Sequence, residues 1–372
     1  MNKEIFDLIV VYSENIANSA KDKTYTDKAP FPSKGSHSIY NDSYKYFLSK
    51  CKQFDLNAAS ATSKDIIGPG LFQSFWTYNK KWIRHKNKAY SNILFDKFTT
   101  RSYEQRSKLK LLTSSKDVYM FNNKKIIEMF QDKLNTYKHF KKFAIPTVDI
   151  TNLSIAKIQL AKIKLNGLLK KHKYREDFSS VYIIKDREGA GGFRIFKFDF
   201  DTSLKEIKKR HRLDIEVNYV LQPFIDGDKS FIFGKYKGFI DVRVILLNNK
   251  IIQAYIRIAK RGNFKCNEHQ GGNLVYIPKR LIPKDVLKMI PKITKKLNFK
   301  HALYALDFIK SNNGNLYFIE GNTNPGLDWN HKKKINEIRS KELIDLIINE
   351  LKIIIAERKL YQAHSRKLPI FS

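Results

Sequence analysis

The sequence predicts a mixed α/β (α+β) protein with two or so domains. Its 372 residues are 42% hydrophobic and 28% charged, which is typical of a globular chain long enough to bury a core. Short apolar strands alternate with amphipathic helices up to about residue 130, and turn signals of the kind found in hairpins recur in the second half. These observations together predict sheets with helices packed against them.

The first part of the chain predicts a small α/β domain. IFDLIVVYS fits a strand, NDSYKYFLSKCKQFD an amphipathic helix behind an Asn/Asp cap, and DVYMF another strand. The segment between them, GPGLFQSFWTYNKKWIRHKNKAY, combines aromatic and basic residues. It is compatible with a surface that stacks on bases, but an aromatic sheet core is the more common cause of such a composition.

The second part predicts helices first and strands afterwards. NNKKIIEMFQDKLNTYKHFKKFAIPTVDI favours one helical stretch that closes at Ile145 and Pro146, and a second helix follows over roughly 154–172. The strand VYII, a run of glycines and the strand FRIFKF predict a strand-loop-strand flap. DVRVILLNNKIIQAYIRIAKR predicts a hairpin, LIPKDVLKMIPKITKKL a helix, and Ile335, Ile338, Ile347, Leu351 and Ile354 mark a last helix that packs on a core.

The charge of the chain leaves two interpretations open. Lys and Arg number 70 against 36 Asp and Glu, a formal net charge of +34. Such a balance suits an anionic partner, yet the richness in Ile, Asn, Tyr and Phe is also expected of an AT-rich coding sequence that favours lysine everywhere. The charge alone therefore does not assign a nucleic-acid partner.

The cysteines and the apolar runs bear on location. Cys51 and Cys266 are the two cysteines and show no CxxC spacing, which argues against a disulfide framework or a cysteine zinc site and suits a reducing compartment. Glu4 and Asp7 interrupt the N-terminal apolar run, so it predicts a strand and not a signal peptide. Since no apolar stretch is long enough to span a bilayer, we expect a cytoplasmic protein without a membrane partner.

A hairpin near the C-terminus, ALDFIKSNNGNLYFIEGNTNPG, places acids opposite each other. Asn313-Gly314 is a strong signal for a two-residue turn. That turn makes Asp307 and Glu320 direct cross-strand partners, and Asn322 shares their face because side chains two apart lie on one side of a strand. Leu306, Phe308 and Ile319 are expected on the opposite, core-facing side.

Two carboxylates and an amide oxygen on one face are hard ligands that suit Mg²⁺ held together with substrate phosphates. The alternative is a solvated acidic face, and a one-residue change in register would separate the two acids. The loop REGAGG, residues 187–192, adds backbone N–H groups that can approach phosphate, with Lys185 at the end of the preceding strand. No Gly-Lys-Ser/Thr follows, so it is not a Walker loop, and a plain tight turn explains the glycines equally well.

Taken in order, these segments resemble the ATP-grasp superfamily, and most closely its carboxylate-amine ligase branch of ribosomal-protein glutamate ligases and glutathione synthetases. The strings that carry the resemblance are DKLNTYKHFKKFAIPTVD, YIIKDREGAGG, LQPFIDGD, DVRV, YIRIAKRGNFKCNEHQGG and ALDFIKSNNGNLYFIEGNTNPG, over about residues 125–350. The resemblance implies an N-terminal α/β pre-grasp domain (1–124), a central lobe with the glycine-rich flap (125–225) and a C-terminal lobe (226–372). ATP is then expected between the two antiparallel-sheet subdomains of a two-lobed ATP-grasp fold.

The resemblance also implies a set of site residues. The expected ATP-binding residues are Lys133, Lys185, Glu188, Gly189, Gly191, Gly192, Gln222, Phe224, Ile225 and Asp228. Asp307, Glu320 and Asn322 match the metal ligands. Arg257 and Lys260 are the candidate catalytic residues, and Arg243, Asn267, His269, Gly271 and Gly272 are expected on the acceptor side. Alternatives stay open for several of them, since Lys133 fits a helix-surface lysine and His269 a loop residue without a role.

The chemistry implied by the resemblance is ATP-dependent joining of a carboxylate to an amine through an acyl-phosphate, with release of ADP and phosphate. The expected cofactors are ATP and Mg²⁺, two ions rather than one, with Mn²⁺ as a substitute. The expected partners are small-molecule carboxylate and amine substrates, namely an amino acid, a peptide or a protein tail, with no requirement for nucleic acid; a homo-oligomer stays open. The rival functions are a kinase of a polyanionic small molecule such as an inositol phosphate, and a basic nucleic-acid or membrane-surface binding module with a vestigial grasp.

Three features depart from the family pattern. The segment KSFIFGKYKGFI, residues 229–240, is longer than expected between Asp228 and Asp241, and position 222 is Gln where many relatives carry Glu. The turn in LLNNKIIQ also leaves a register open. A three-residue loop there sets Asp241 opposite Arg257, and a two-residue loop puts them on different faces.

Overall fold

The computed structural model describes residues 3–98, 102–203, 205–207, 214 and 216–365. These residues divide into two units. Unit 1 contains the described residues up to Asn123, His301–Leu303 and those from Asn324 onward, and unit 2 contains the described residues of 124–300 and Tyr304–Thr323. The predicted class of a mixed α/β protein with antiparallel sheets is confirmed.

Unit 1 is built on two sheets. Its strands are β1 Lys3–Ile5, β2 Leu8–Tyr12, β3 Ala58–Thr62, β4 Ile66–Gly68, β5 Leu71–Phe72, β6 Phe75–Asn79, β7 Lys81–His85, β8 Lys88–Tyr90, β9 Ile93–Lys97 and β10 Tyr119–Met120, and its first helices are α1 Tyr40–Gln53 and α2 Tyr103–Leu112, with a 3-10 turn at Ser63–Asp65. The sheet orders are β1-β8-β5-β4 and β10-β9-β2-β3-β6-β7. Strand β2 is buried along its whole length and pairs in parallel with β3 and β9, which is what its uninterrupted apolar run requires.

The aromatic segment in the middle of unit 1 forms sheet core. Phe72 and Phe75 are fully buried and Trp76 is 1% exposed. The indole Nε1 of Trp76 donates to the carbonyl of Asn18 at 2.9 Å, so its polar atom is satisfied inside the fold. These rings are therefore not available to stack on bases.

Unit 2 begins with helices and a four-stranded antiparallel sheet. The elements are α3 Lys124–Gln131, α4 Lys133–Phe140, β11 Val148–Ile150, α5 Ile155–Lys170, a 3-10 turn at Arg175–Asp177, β12 Phe178–Asp186, β13 Ile195–Asp199 and β14 Tyr219–Ile225. The sheet order is β11-β14-β12-β13. Helix α5 starts behind its Ser154 cap and buries Ile158, Ala161 and Leu165 in the core of this sheet.

The prediction of one helical stretch before Pro146 is wrong, because two helices are present. The side chain of Asp132 accepts hydrogen bonds from the backbone N–H groups of Leu134 at 2.8 Å and Asn135 at 3.4 Å. An acid in this capping position starts a new helix and interrupts the old one. The same carboxylate binds the guanidinium of Arg187 at 2.6 Å, at the start of the glycine-rich loop.

The second sheet of unit 2 has five strands in the order β17-β16-β15-β18-β19. Its elements are β15 Ile240–Leu247, β16 Lys250–Ile258, β17 Asn273–Tyr276, α6 Lys284–Leu297, β18 Leu303–Lys310 and β19 Leu316–Asn322, with 3-10 turns at Glu268–Gln270 and Lys279–Leu281. Two long hairpins, β15–β16 and β18–β19, therefore lie in one sheet.

The last helix, α7 Lys334–Ser365, belongs to unit 1. Ile347, Leu351 and Ile354 are buried as expected, whereas Ile335 and Ile338 are 47% and 43% exposed and do not join the core. Within the described residues, no helix has both the length and the apolar character needed to cross a bilayer.

Candidate active site

A cavity of about 120 Å³ lies within unit 2 between its two sheets. Part of its lining is apolar, and we call this part the apolar slot: it consists of Ile145, Ile183, Pro223, Phe224, Ile225 and Ile309. Another part is charged and consists of Lys133, Lys185, Asp241, Arg257, Asp307 and Glu320. Apolar side chains together with a group of cations in one cavity suit a ligand that has both a flat ring and phosphates.

The predicted flap covers this cavity. Strands β12 and β13 pair antiparallel, and the loop between them brings Gly189, Gly191 and Gly192 to the cavity wall. The ammonium of Lys133 donates to the carbonyl of Gly189, and the side-chain amide of Gln270 lies 3.5 Å from the carbonyl of Gly191. These contacts hold the flap in a closed position. The cavity of about 120 Å³ is smaller than the roughly 300 to 1,000 Å³ of most ligand pockets, so a ligand of nucleotide size can enter only after the flap moves.

Gly192 shows why the flap tip requires glycine. Its φ is +75°, a left-handed conformation that side chains rarely adopt. A Cβ at this position would stand 2.7 Å from Oδ1 of Asn267 and 2.9 Å from Cγ of Gln270. The closed flap therefore depends on the absence of a side chain at its tip.

Lys185 is a buried cation that faces the cavity. Its side chain comes from the end of β12, and the residue is 8% exposed. Burial lowers the pKa of Lys185 to about 8, with Glu320 opposing the shift and Lys133 adding to it. An anionic ligand bound next to this amine would favour its protonated form, and the protonated form would in turn attract the ligand.

The acidic hairpin has the predicted pair but not the predicted turn. Asp307 does lie opposite Glu320. The loop, however, has three residues, since the N–H of Gly314 donates to the carbonyl of Ser311 at 2.9 Å and Asn315 follows as the partner of Ser311. A β-bulge between Asp307 and Phe308 then shifts the register by one residue and restores the pair.

The bulge also changes the side to which Ile319 belongs. Leu306 and Phe308 are fully buried, as predicted, but Ile319 lines the cavity next to Glu320. The extra residue of a bulge is left outside the ladder, so strict alternation fails at that point. The prediction that Ile319 faces the core is wrong for this reason.

The second hairpin shows the same compensation. The turn between β15 and β16 has two residues, Asn248 and Asn249, both with positive φ. A bulge after Ile245 then moves the register by one, so Asp241 lies opposite Arg257 all the same. The open question about this register is answered in favour of the facing pair.

Four charged side chains form one buried network on the shared face of these strands. Arg257 donates to Asp241 through Nε at 2.7 Å and Nη2 at 2.9 Å, and its Nη2 also lies 2.7 Å from Oδ2 of Asp307. Arg243 binds both oxygens of Asp307 at 2.6 and 2.5 Å. Burial opposes ionisation of Asp307, but Arg243 and Arg257 outweigh it and hold the pKa of this carboxyl below its usual range.

The network leaves part of Arg257 available to the cavity. Its bonds to the two aspartates use Nε and Nη2. A guanidinium has five N–H donors, so Nη1 keeps its two outside these bonds. Arg257 is among the residues that line the cavity, whereas Arg243 is not.

Several other predicted residues are not among those that line the cavity. They are Glu188, Gln222, Asp228, Lys260 and Asn322. Gln222 is buried and its amide Nε2 donates to the hydroxyl of Thr147 at 2.7 Å. Asp228 is exposed and accepts from the side chain of Asn312 at 2.8 Å.

The loop after β16 meets the flap. Asn267 lines the cavity, and His269 is exposed with its ring centroid 6.3 Å from that of Phe193 on the flap. Gly271 and Gly272 close the loop, in which the N–H of Gly272 donates to the carbonyl of Asn267 at 3.0 Å. The sequence-predicted acceptor residues thus surround the flap tip, except for Arg243 in the buried network.

Sequence reasoning assigns no role to Asp241, Phe193, Lys265 or Cys266, and all four line the cavity. Asp241 could have been found from the sequence, because a register that places it opposite Arg257 puts it next to a predicted site residue. The other three follow from loop packing, for which the sequence carries no periodic signal. Burial raises the pKa of the Cys266 thiol above its ordinary value, so this thiol stays protonated.

The donors present fit a magnesium ion only in part. Among the described residues, no group of three or more His, Cys, Asp or Glu side chains is close enough to hold a metal. Two carboxylates line the cavity: both oxygens of Asp307 are already bound by arginines, whereas Glu320 keeps a 25% exposed side chain. Mg²⁺ usually takes one or two carboxylates and completes its shell with phosphates and water, so this pair fits that mode.

Comparison with known proteins identifies the domain. The family model of the RimK-like ATP-grasp domain matches residues 131–347, more than half of the chain. A protein named probable alpha-L-glutamate ligase from Legionella pneumophila (strain Corby) is 27% identical over 179 residues, which are 48% of this chain and 54% of the relative. The chain therefore spans about half the length of that relative.

Two solved structures share the fold over nearly the whole chain. D-cycloserine synthetase DcsG superimposes with a TM-score of 0.56 at 11% identity, over 92% of this chain and 99% of its own. D-alanyl-alanine synthetase A from Vibrio cholerae O1 gives a TM-score of 0.55 at 13% identity, over 94% and 99%. At these identities the likeness concerns the fold alone.

Proposed function

The chain belongs to the RimK-like ATP-grasp domain family, and from that premise we propose that it is an ATP-dependent carboxylate-amine ligase. The reaction joins a carboxylate to an amine through an acyl-phosphate and releases ADP and phosphate. The observation that carries this proposal is the cavity whose lining combines the apolar slot with Lys133, Lys185, Arg257, Glu320 and Asp307. We further propose the division 1–124, 125–225 and 226–372 as the functional one.

The nucleotide occupies the cavity in this proposal. The adenine ring lies in the apolar slot against Phe224 and Ile225, where the backbone of β14 offers hydrogen bonds. Lys133 and Lys185 neutralise the phosphates, and the backbone of Gly189 to Gly192 folds over them. Asp228, in the turn after β14, is the proposed ribose contact, and Gln222 supports the strand through Thr147.

Asp307, Glu320 and Asn322 would hold magnesium together with the phosphates, and we expect two ions. When bound, the metal neutralises charge on the phosphoryl group during transfer. Asn322 follows Glu320 by two residues on the same strand, so it faces the same side. Arg243 fixes the orientation of the Asp307 carboxylate through two hydrogen bonds.

The residues of the chain provide positioning and charge. The substrate carboxylate attacks the γ-phosphorus, and the bond between that phosphorus and the β-γ bridging oxygen breaks as ADP leaves. The two N–H donors of Arg257 Nη1 steady the oxygens of the acyl-phosphate. The amine then attacks the acyl carbon and phosphate departs, with Lys260 and the acceptor residues Asn267, His269, Gly271 and Gly272 on the acceptor side. The closed flap keeps water from the intermediate.

The substrates are an amino acid, a peptide or a protein tail. Glutamate is the first amino acid to test, because the Legionella relative carries the name of a glutamate ligase. The two cysteines are unpaired, which fits the cytoplasmic setting that we propose.

The test is a screen of amino-acid and peptide pairs with ATP and Mg²⁺, read by mass spectrometry for products lighter by one water than the summed substrates. Glu320→Ala should abolish product and ADP release, and Glu128→Ala, at a 60% exposed surface position, is the matched control. Full activity of Glu320→Ala would refute the metal assignment. Phosphate found on the organic product instead of in solution would show a kinase and refute the ligase.

A further inference from the structure

A second, mostly apolar cleft of about 600 Å³ lies in unit 2 where the 229–240 segment passes over the β16–β17 edge of the five-stranded sheet. One wall is formed by Phe231, Ile232, Phe233 and Tyr236. The other contains Val275, Ile277, Pro278 and Leu281, and Ile256 closes it from within. None of these residues is used in the proposed reaction.

The inserted segment is a folded projection and not a plain connection. The N–H of Tyr236 donates to the carbonyl of Phe233 at 3.1 Å, which closes a turn, and the Phe231 and Phe233 rings are 5.9 Å apart. Phe231 is only 5% exposed and anchors the segment. Ile232 next to it is 84% exposed, so the turn presents an aliphatic side chain at the mouth of the cleft.

Leu281 on the opposite wall is 54% exposed. Two large aliphatic side chains that stand free on facing walls of a cleft leave apolar area in water, which an apolar side chain of a partner would cover. The most exposed large side chains are aliphatic, whereas Phe233, Tyr236 and Tyr276 are only partly exposed and Phe231 is buried. Nucleic acid prefers exposed aromatic platforms for its bases, so this surface favours a polypeptide.

The two segments that form the cleft, and therefore its rim, are basic, which bears on the chemistry of the partner. The segments 229–240 and 273–284 contain six basic residues and no acidic one. They are Lys229, Lys235, Lys237, Lys279, Arg280 and Lys284. The nearby Asp285 forms a salt bridge with Lys310, with 2.5 Å between Oδ2 and Nζ. A second copy of this chain, which carries a net charge of +34, is disfavoured at such a rim, whereas an acidic segment is attracted.

We propose that this cleft docks an acidic polypeptide segment whose apolar side chains enter between Ile232 and Leu281, and that this segment belongs to a polypeptide substrate of the ligase. The second clause rests on the proposed function. Lys310 borders both the cleft and the active-site cavity. When one part of a polypeptide is bound at the cleft, its reacting end is therefore present at a raised effective concentration next to the active-site cavity.

The test uses fluorescence anisotropy with a fluorescein-labelled peptide of alternating Glu and Leu. We expect it to bind the full chain, and Ile232→Asp to weaken binding about tenfold or more because an apolar contact is replaced by a repelled charge. The control is Ile155→Asp, at a 60% exposed position in the first turn of α5, where an acid is tolerated. It should bind like the unchanged protein.

Three outcomes would overturn the proposal. Equal binding of Ile232→Asp would show that the cleft is not the site. Equally tight binding of a peptide of alternating Glu and Ser would show that negative charge alone is enough. Equally tight binding of a peptide of alternating Lys and Leu would show that apolar side chains alone are enough. Binding of a uridine oligonucleotide that Ile232→Asp abolishes, without peptide binding, would assign the surface to RNA. None of these readouts depends on ligation, so failure here and failure of the ligase proposal stay separate. A cooperative thermal unfolding transition close to that of the unchanged protein shows that each variant is folded.

Discussion

Replacing Gly192 by alanine tests whether the flap must close as the structure shows. The added methyl group would lie 2.7 Å from Asn267 Oδ1 and 2.9 Å from Gln270 Cγ, closer than the 3.4 to 4 Å of ordinary contacts. Overpacking of this kind costs about 1 to 3 kcal/mol. Because the clash exists only with the flap closed, we expect a loss in nucleotide affinity of about 5- to 150-fold.

The matched control for this change is Gly262→Ala. Gly262 has a φ of +80°, close to the +75° of Gly192, but a Cβ there would meet nothing within 4 Å. Both variants therefore bear the left-handed strain of about 1 to 2 kcal/mol, and only Gly192→Ala bears the clash. The comparison isolates the closure of the flap from backbone strain.

The assay is calorimetric titration with ATP and Mg²⁺, followed by the ratio of phosphate released to amide formed. Gly192→Ala should bind more weakly and release phosphate in excess of amide, because an open flap lets water reach the intermediate. Gly262→Ala should match the unchanged protein within about twofold. Equal losses in the two variants, or unchanged binding by Gly192→Ala, would refute the reasoning.

Four further predictions concern the charged groups. Since burial lowers the pKa of Lys185 to about 8, ATP affinity should fall about tenfold per pH unit above that value, and Lys185→Arg should flatten the profile in titrations at pH 7 and 9. The unfolded lysine holds its proton up to its ordinary pKa of 10.5, so the contribution of Lys185 to the free energy of unfolding should rise with pH between these values; a fall would contradict the burial. Mg²⁺ without ATP should give no binding heat, because two arginines already hold Asp307; millimolar binding of the metal alone would contradict this. Asp241→Asn should lower the free energy of unfolding by about 3 to 5 kcal/mol by removing the charge paired with Arg257, whereas Glu342→Gln in an exposed pair should change it by less than about 1 kcal/mol in urea denaturation; equal effects would argue against the network.

The two hairpins show how far sequence reasoning reaches. Both facing pairs, Asp307 with Glu320 and Asp241 with Arg257, follow from counting across a turn. The turn length is wrong in the first hairpin and was undecided in the second, and in each a bulge supplies the missing residue. Local turn chemistry specifies the loop, but a bulge is set by packing of the strands on the core, which a single sequence does not display.

The cavity itself is less accessible to such reasoning. Lys185 follows from its position at the end of a predicted strand, whereas Lys133 follows only from the family resemblance, because the helix that starts there was not predicted; both line the cavity. Phe193 and Cys266 reach the same cavity from loops, where no period constrains the side chain. The placement of Gln222 against Thr147 depends on a neighbouring strand 75 residues away in sequence, which is outside any local pattern.

The anchoring of the flap at its base bears on how quickly the site can exchange its contents. Arg187 is held by Asp132 and Asp149, its N–H donates to Asn218, and the N–H of Asp186 donates to the carbonyl of Arg194. These contacts fix both ends of the loop, so only residues 188–193 have to move when the flap opens. Short loops of this size rearrange within nanoseconds to microseconds. Lid opening spans microseconds to seconds, and a short moving segment on a fixed base favours the fast end of that range. In the proposed ligase, exchange of ligands through the flap would then be fast.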